Sequence, residues 1–243
     1  MPPRHHRTVD RLAAILEAVA PAPQGLTLSA LANRLDAPKS SVHELVNGLL
    51  ATGYLVERDH RVSLGPAPFT LMLSGNRLAA QEIERDLLPR IHDAVGCSVL
   101  IGIQVGMSLV YIDHIGEEPA LEFAARNHNR RSLYGTASGK AILACLPGRD
   151  MDALLHSAMP NEQEEVDRFL SELPDIRTTG LAFNLGLTIP DVFSVATPLR
   201  RADGALIGAV CAVARGDSRE RLPDIGHQMQ ELLAKRRDTQ GPR

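Results

Sequence analysis

The sequence contains no tryptophan, three tyrosines and five phenylalanines among 243 residues. Aromatic side chains make up only 3% of it, too few for the stacking platforms that hold single-stranded RNA or DNA. Cysteine is also scarce. Cys97, Cys145 and Cys211 are odd in number and far apart, which excludes a disulfide scaffold, offers no zinc-ligand spacing and fits a reducing compartment. There is no long apolar run: the longest, residues 205–214, is about half of the ~20 residues a membrane-spanning helix needs. The opening Met-Pro-Pro-Arg-His-His-Arg leads into an amphipathic segment carrying Asp10, Arg11 and Glu17, unlike a signal peptide. Neither sign of charge dominates, with 26 Lys/Arg against 29 Asp/Glu for a net of −3. What is left is an ordinary globular composition, 44% hydrophobic and 23% charged, long enough for one large domain or two modest ones. A cytoplasmic protein without membrane association, metal or cofactor is expected.

Charge is unevenly shared. Residues 1–65 hold seven Lys/Arg and six Asp/Glu, a net of +1, whereas the rest of the chain is net −4. In this first segment Val9, Leu12, Ala13, Leu16 and Val19 recur at helical steps, and Pro21, Pro23 and Gly25 end the helix. Leu28, Leu31, Ala32 and Leu35 mark a second short helix, with Thr27 or Ser29 placed to cap it. Asp36-Ala37 supplies a tight turn. Pro38 suits the start of a third helix, whose buried stripe is Val42, Leu45, Val46 and Leu49 and whose stop is Gly53. Residues 54–56 and 61–64, joined by the polar turn 57–60, read as a two-stranded wing.

Two short helices joined by a brief turn, the second with a polar outer face, form a helix-turn-helix. The outward residues of that second helix are Lys39, Ser40, His43, Glu44 and Asn47, with Ser41 near its start. Hydroxyls and an amide there would face base edges, while Lys39 and the helix N-terminus meet phosphate. Arg58 and Arg61 on the wing would reach the adjacent backbone or minor groove. The candidate DNA-binding set is thus Lys39, Ser40, Ser41, His43, Asn47, Arg58 and Arg61. A three-helix bundle with a merely solvated polar face fits the same pattern, and Glu44 on the exposed face repels phosphate.

The run Gly25-Leu26-Thr27-Leu28, Leu31-Ala32, Ala37-Pro38-Lys39-Ser40-Ser41-Val42-His43, Leu49, Gly53-Tyr54-Leu55 and Val62-Ser63-Leu64-Gly65 resembles the N-terminal domain of IclR-type bacterial transcription regulators. Two positions depart from that pattern. Asp36 stands where the family usually has Gly, and Glu44 where it often has Arg, which touches one expected backbone contact.

Gly65, Pro66 and Pro68 mark a boundary. Residues 69–95 look helical, with Leu71, Leu78, Ile83, Leu87 and Ile91 apolar and Pro89 as a kink or break, in the place of a connector between domains. Beyond it, residues 97–105 and 109–115 read as a hairpin about Gly106-Met107-Ser108, and 120–125 as a third strand. Helices follow at 135–144 and 162–173, strands at 192–198 and 205–214, and a closing helix at 222–237. The expected fold class is α+β: a winged helix-turn-helix over 1–65, a linker helix over 66–95, and an antiparallel-sheet effector domain over 96–243.

Residues 135–144 place glycines, small residues and hydroxyls at a helix start, where unpaired N–H groups and the macrodipole favour a carboxylate or phosphate. The segment is not a P-loop, because only three residues separate Gly135 from Gly139 and Ala141 follows Lys140. Close helix packing is the other use of such glycines. The stretch Gly-Thr-Ala-Ser-Gly-Lys-Ala-Ile-Leu-Ala-x-Leu-Pro is, however, similar to the effector-domain signature of the IclR family. So are Ile176-Arg177-x-x-Gly180-x-Ala182, Val195-Ala196-x-Pro198 and Ile207-Gly208-Ala209-Val210.

That resemblance implies a GAF-like domain in which small organic acids are held at Ala137, Ser138 and Gly139 and by Asn184, Ser194 and Cys211, with Val213 as apolar wall. Leu187 and Asp191 replace an acidic residue and a glycine common in the family, and the apolar run 185–189 favours an aromatic or alkyl acid. The function expected is a ligand-controlled repressor acting on double-stranded operator DNA as a homodimer or dimer of dimers, not an enzyme. Two other readings stay open. One is a sensor whose winged helix binds protein. The other is an acyl or amide hydrolase using Ser138, Lys140, His128 or His156, against which stand the two-residue spacing of Ser138 and Lys140 and the lack of a Gly-x-Ser-x-Gly elbow.

Overall fold

A computed structural model of the chain describes residues 5–74, 83–117, 122, 125, 130–156, 158, 162–187 and 189–239. They fall into two compact units, residues 5–74 and 83–239.

The first unit has one apolar core. Helix α1 (Arg7–Val19) buries Ile15, Ala18 and Val19, whereas Val9 is 60% exposed and Ala13 faces solvent. The stripe is therefore rotated from the expected one. Apolar residues cover more than half the circumference of α1, so spacing alone does not fix which arc meets the bundle. Strand β1 (Leu26–Thr27) leads into α2 (Leu28–Arg34), which Thr27 caps by accepting from Ala30 N at 3.2 Å. Asp36 turns the chain at φ +44°, and Pro38 lies one residue before α3 (Lys39–Ala51), whose Val42, Val46 and Leu49 are buried. Strands β2 (Leu55–Arg58) and β3 (Arg61–Leu64) form the wing about Asp59 and His60, both at positive φ. Strand β1 adds to β3, making three strands where two were expected. A short helix, α4 (Ala67–Ser74), follows.

In the second unit α5 (Leu87–Val95) is preceded by a turn at 83–86, so residues 69–95 are not one helix. Pro89 sits in the first turn of α5, where a missing N–H breaks no helical bond, and neither kinks nor ends it. Six antiparallel strands then form a sheet: β4 (Ser98–Val105), β5 (Ser108–Ile115), β6 (Arg130–Ser132), β7 (Ala182–Leu185), β8 (Val192–Arg200) and β9 (Leu206–Arg215), ordered β6-β5-β4-β9-β8-β7. Most of the expected third strand, 120–125, lies outside the described residues. Its two described members, Glu122 and Ala125, are helical, and β6 occupies the place beside β5 instead.

Helices cover both faces of the sheet. On one side lie α6 (Ala137–Ala144), α7 (Gly148–Leu155) and α8 (Gln163–Thr179). On the other lie α5 and α9 (Leu222–Thr239). This explains the apolar run of β9: Ala209, Cys211 and Val213 pack on the first side, Val210, Ala212 and Ala214 on the second. Helix α8 continues beyond its expected end at 173, through Pro174, because Ile176 is buried one turn further on, and stops at Gly180 with φ +70°.

Candidate functional site

On α3 the buried stripe leaves Lys39, Ser40, His43, Glu44 and Asn47 exposed on one side, with Ser41 half-buried at the start. These are the outward positions expected from the sequence. Arg58 and Arg61 flank the two-residue tip of the wing. Arg61 is partly committed, since its Nη1 donates to Gly25 O at 3.2 Å.

In the second unit the signature turn is built from its own hydrogen bonds. Thr136 Oγ1 donates to Ser132 O at 2.8 Å and accepts from Gly139 N at 3.1 Å, capping α6. The amides of Ala137 and Ser138 precede any possible intrahelical acceptor. Gly139 is required by space: a Cβ there would lie 2.2 Å from Leu133 O. Asn184 reaches across from β7, its Nδ2 donating to Gly135 O at 2.5 Å and its Oδ1 accepting from Leu187 N at 3.0 Å. Asn184 thereby ties the signature turn to the loop after β7.

Against this turn lies a cavity of about 40 Å³, lined by Arg131, Tyr111, Thr136, Ala137, Asn184, Ile189, Val192, Ser194, Cys211 and Val213. Four of the six expected residues, Ala137, Asn184, Ser194 and Cys211, are on its wall; Ser138 and Gly139 are not. Ser138 is wholly buried, and among the described residues its hydroxyl makes no well-formed hydrogen bond. It lies near enough to Tyr111 and Cys211 to favour their ionised forms, but burial dominates both. The Tyr111 phenol is held above its usual range, and the Cys211 thiol is pushed up to about 12. Both therefore carry their protons at neutral pH.

Tyr111, Arg131, Thr136, Ile189 and Val192 were not singled out as wall residues from the sequence. The alternation of β5 could have placed Tyr111 on the inner face; nothing local marks Arg131, which sits on a three-residue edge strand. Larger clefts of about 630 Å³ and 810 Å³ lie elsewhere on this unit, and neither reaches the N-terminus of α6.

Among the described residues, neither Lys140 nor His156 is paired with Ser138. Lys140 is buried and its Nζ pairs with Glu172 on α8 rather than with Ser138. His156 is exposed, with Nδ1 against Asp152 O at 2.7 Å, and His128 lies outside the described residues. No group of three or more His, Cys, Asp or Glu side chains suited to a metal ion occurs among the described residues, and none of the described helices is long and apolar enough to cross a membrane.

The family model for the IclR helix-turn-helix domain matches residues 8–59, and that for the C-terminal domain of the bacterial transcriptional regulator IclR matches residues 76–238. The chain belongs to the IclR family. It is 28% identical over 203 residues to the HTH-type transcriptional regulator TtgV of Pseudomonas putida, covering 79% of this chain and 76% of that one. Its fold matches that of an IclR family transcriptional regulator from Brucella abortus, at a TM-score of 0.69 and 22% identity over 98% of this chain and 94% of the other. It also matches an IclR homolog from Microbacterium hydrocarbonoxydans complexed with 4-hydroxybenzoate, at a TM-score of 0.67 and 19% identity over 94% and 99%. This IclR member is a DNA-binding, helix-turn-helix transcription regulator with an α+β architecture.

Proposed function

We propose that the chain is a homodimeric repressor whose effector is a small carboxylic acid, aromatic or alkyl, taken up at the N-terminus of α6. The observation that carries this reading is the composition of the cavity. It joins Ala137, the first residue of α6, whose amide has no intrahelical acceptor, to a wall that contains Arg131 and, among the described residues, no carboxylate. Ile189, Val192 and Val213 supply apolar surface for the body of the acid. The 4-hydroxybenzoate held by the Microbacterium homolog is a ligand of this class.

The cavity's size bears on control. At about 40 Å³ it has room for roughly one water, well below the ~300 Å³ and more of a typical ligand pocket. An acid therefore binds only an expanded form of this cavity, and such differential affinity is what allows a ligand to shift a two-state protein. Dimer formation is supported by α4, which leaves Phe69, Leu71, Met72 and Leu73 exposed on one short helix, and by the small reach of a single winged helix on DNA. Lys39, Ser40, Ser41, His43, Asn47, Arg58 and Arg61 are the residues we assign to DNA; Ala137, Ser138, Gly139, Asn184, Ser194 and Cys211 are those we assign to effector binding. The second unit then senses its ligand without turning it over, and the protein acts in the cytoplasm, where its DNA is.

Titrating the full chain with small acids while following thermal unfolding tests the site. An acid that raises the melting temperature is expected to lose its effect in Ser194→Phe and in Ser138→Trp. A shift that survives in folded forms of both variants would place the acid elsewhere.

A further inference from the structure

We infer that Arg131 is the specificity-determining residue of this cavity: it pairs with the carboxylate of the effector and makes the site select acids over their neutral isosteres. The inference rests on the α6 cavity being the effector site.

Arg131 is half-buried on the edge strand β6, opposite Leu109 of β5, and is the single charged residue on the cavity wall among the described residues. Its guanidinium makes no hydrogen bond or ion pair among the described residues, in contrast to its neighbour Arg130, whose Nη1 donates to Val105 O at 2.9 Å. The next residue of β6, Ser132, donates its Oγ hydrogen to the Glu165 carboxylate of α8. A guanidinium with five donors, partly withdrawn from water and without an internal partner, is matched by a carboxylate that can accept two parallel bonds. The helix N-terminus carries only about half a positive charge and is equally open to neutral acceptors, so it attracts an acid without excluding an amide or alcohol. Arg131 adds the full charge that discriminates. The other polar wall groups, Ser194, the protonated Cys211 and the Tyr111 phenol, are neutral and serve hydroxyl or keto substituents.

The test compares benzoate, 4-hydroxybenzoate, propionate and butyrate with their amides, by calorimetry and thermal shift on the full chain against matched sodium chloride. The wild type is expected to bind the fitting acid at least tenfold more tightly than its amide. In Arg131→Gln the acid is expected to weaken at least tenfold while the amide is unchanged, and Arg131→Lys to fall between, because a point charge loses the paired geometry. If acid preference persists in Arg131→Gln but all binding disappears in Ser194→Phe, the cavity stands and the role of Arg131 is overturned. If the preference survives both variants, both readings fall. A wild type that ignores every acid in the panel, or binds acid and amide alike, also overturns the assignment.

Discussion

At the scale of single residues, each side chain on the α3 face has a separable expected effect. Lys39→Ala should weaken binding to all duplexes alike and lower the slope of log affinity against log salt by about one, because one phosphate contact releases about one counterion. Asn47→Ala should leave that slope intact and relax base preference. Fluorescence anisotropy over a salt series on operator and mutated operator separates the two. Cys211 gives a pH signature. Its thiol is pushed from 9.0 up to about 12 in the fold, so between those values the unfolded chain has lost a proton that the folded chain keeps. Its contribution is complete below about pH 9 and declines as pH rises from there toward 12. Cys211→Ala should flatten that alkaline decline in urea midpoints, and an unchanged slope would mean the thiol is not held this way. Residue roles were the least legible part of the sequence. Ala137, Asn184, Ser194 and Cys211 came from motif resemblance, and Arg131 was missed because burial of a polar wall depends on strands far apart in the chain.

Elements were more legible where local chemistry and tertiary environment agree. The wing, the hairpin β4–β5 and the apolar strand β9 follow from alternation, a two-residue turn and burial on both faces. Elements escaped where tertiary contacts overrule the local signal. Helix α8 runs through Pro174 because Ile176 has a core site to fill, and α1 presents a different arc because its apolar surface is wide. The start of α6 is the element on which the site depends. Thr136→Ala removes its cap and should cost about 1 kcal/mol, whereas Gly139→Ala forces the helix away from Leu133 O and should cost about 1–3 kcal/mol. Urea denaturation of both variants checks the order. Gly139→Ala with wild-type stability would show that the turn has room the geometry denies.

At the scale of the whole molecule, the chain has two units with separate cores, and the proposed function gives nucleic acid to the first and a small acid to the second. Family membership was legible in the sequence because the glycine-bounded turn at 135–139 and the paired helices at 28–51 are spaced by backbone requirements that tolerate little drift. The effector's identity was not, since the wall of the proposed cavity is assembled from strands and a helix far apart in the chain. Coupling between the units is the central claim, and one titration reaches it directly: anisotropy of a labelled duplex from the gene's own upstream region against the full chain, with and without each acid that stabilises the protein. Tighter binding to that duplex than to random sequence, changed at least fivefold by one of those acids, is the expected result. Equal affinity for both duplexes, or a promoter affinity that no stabilising acid alters, would contradict it.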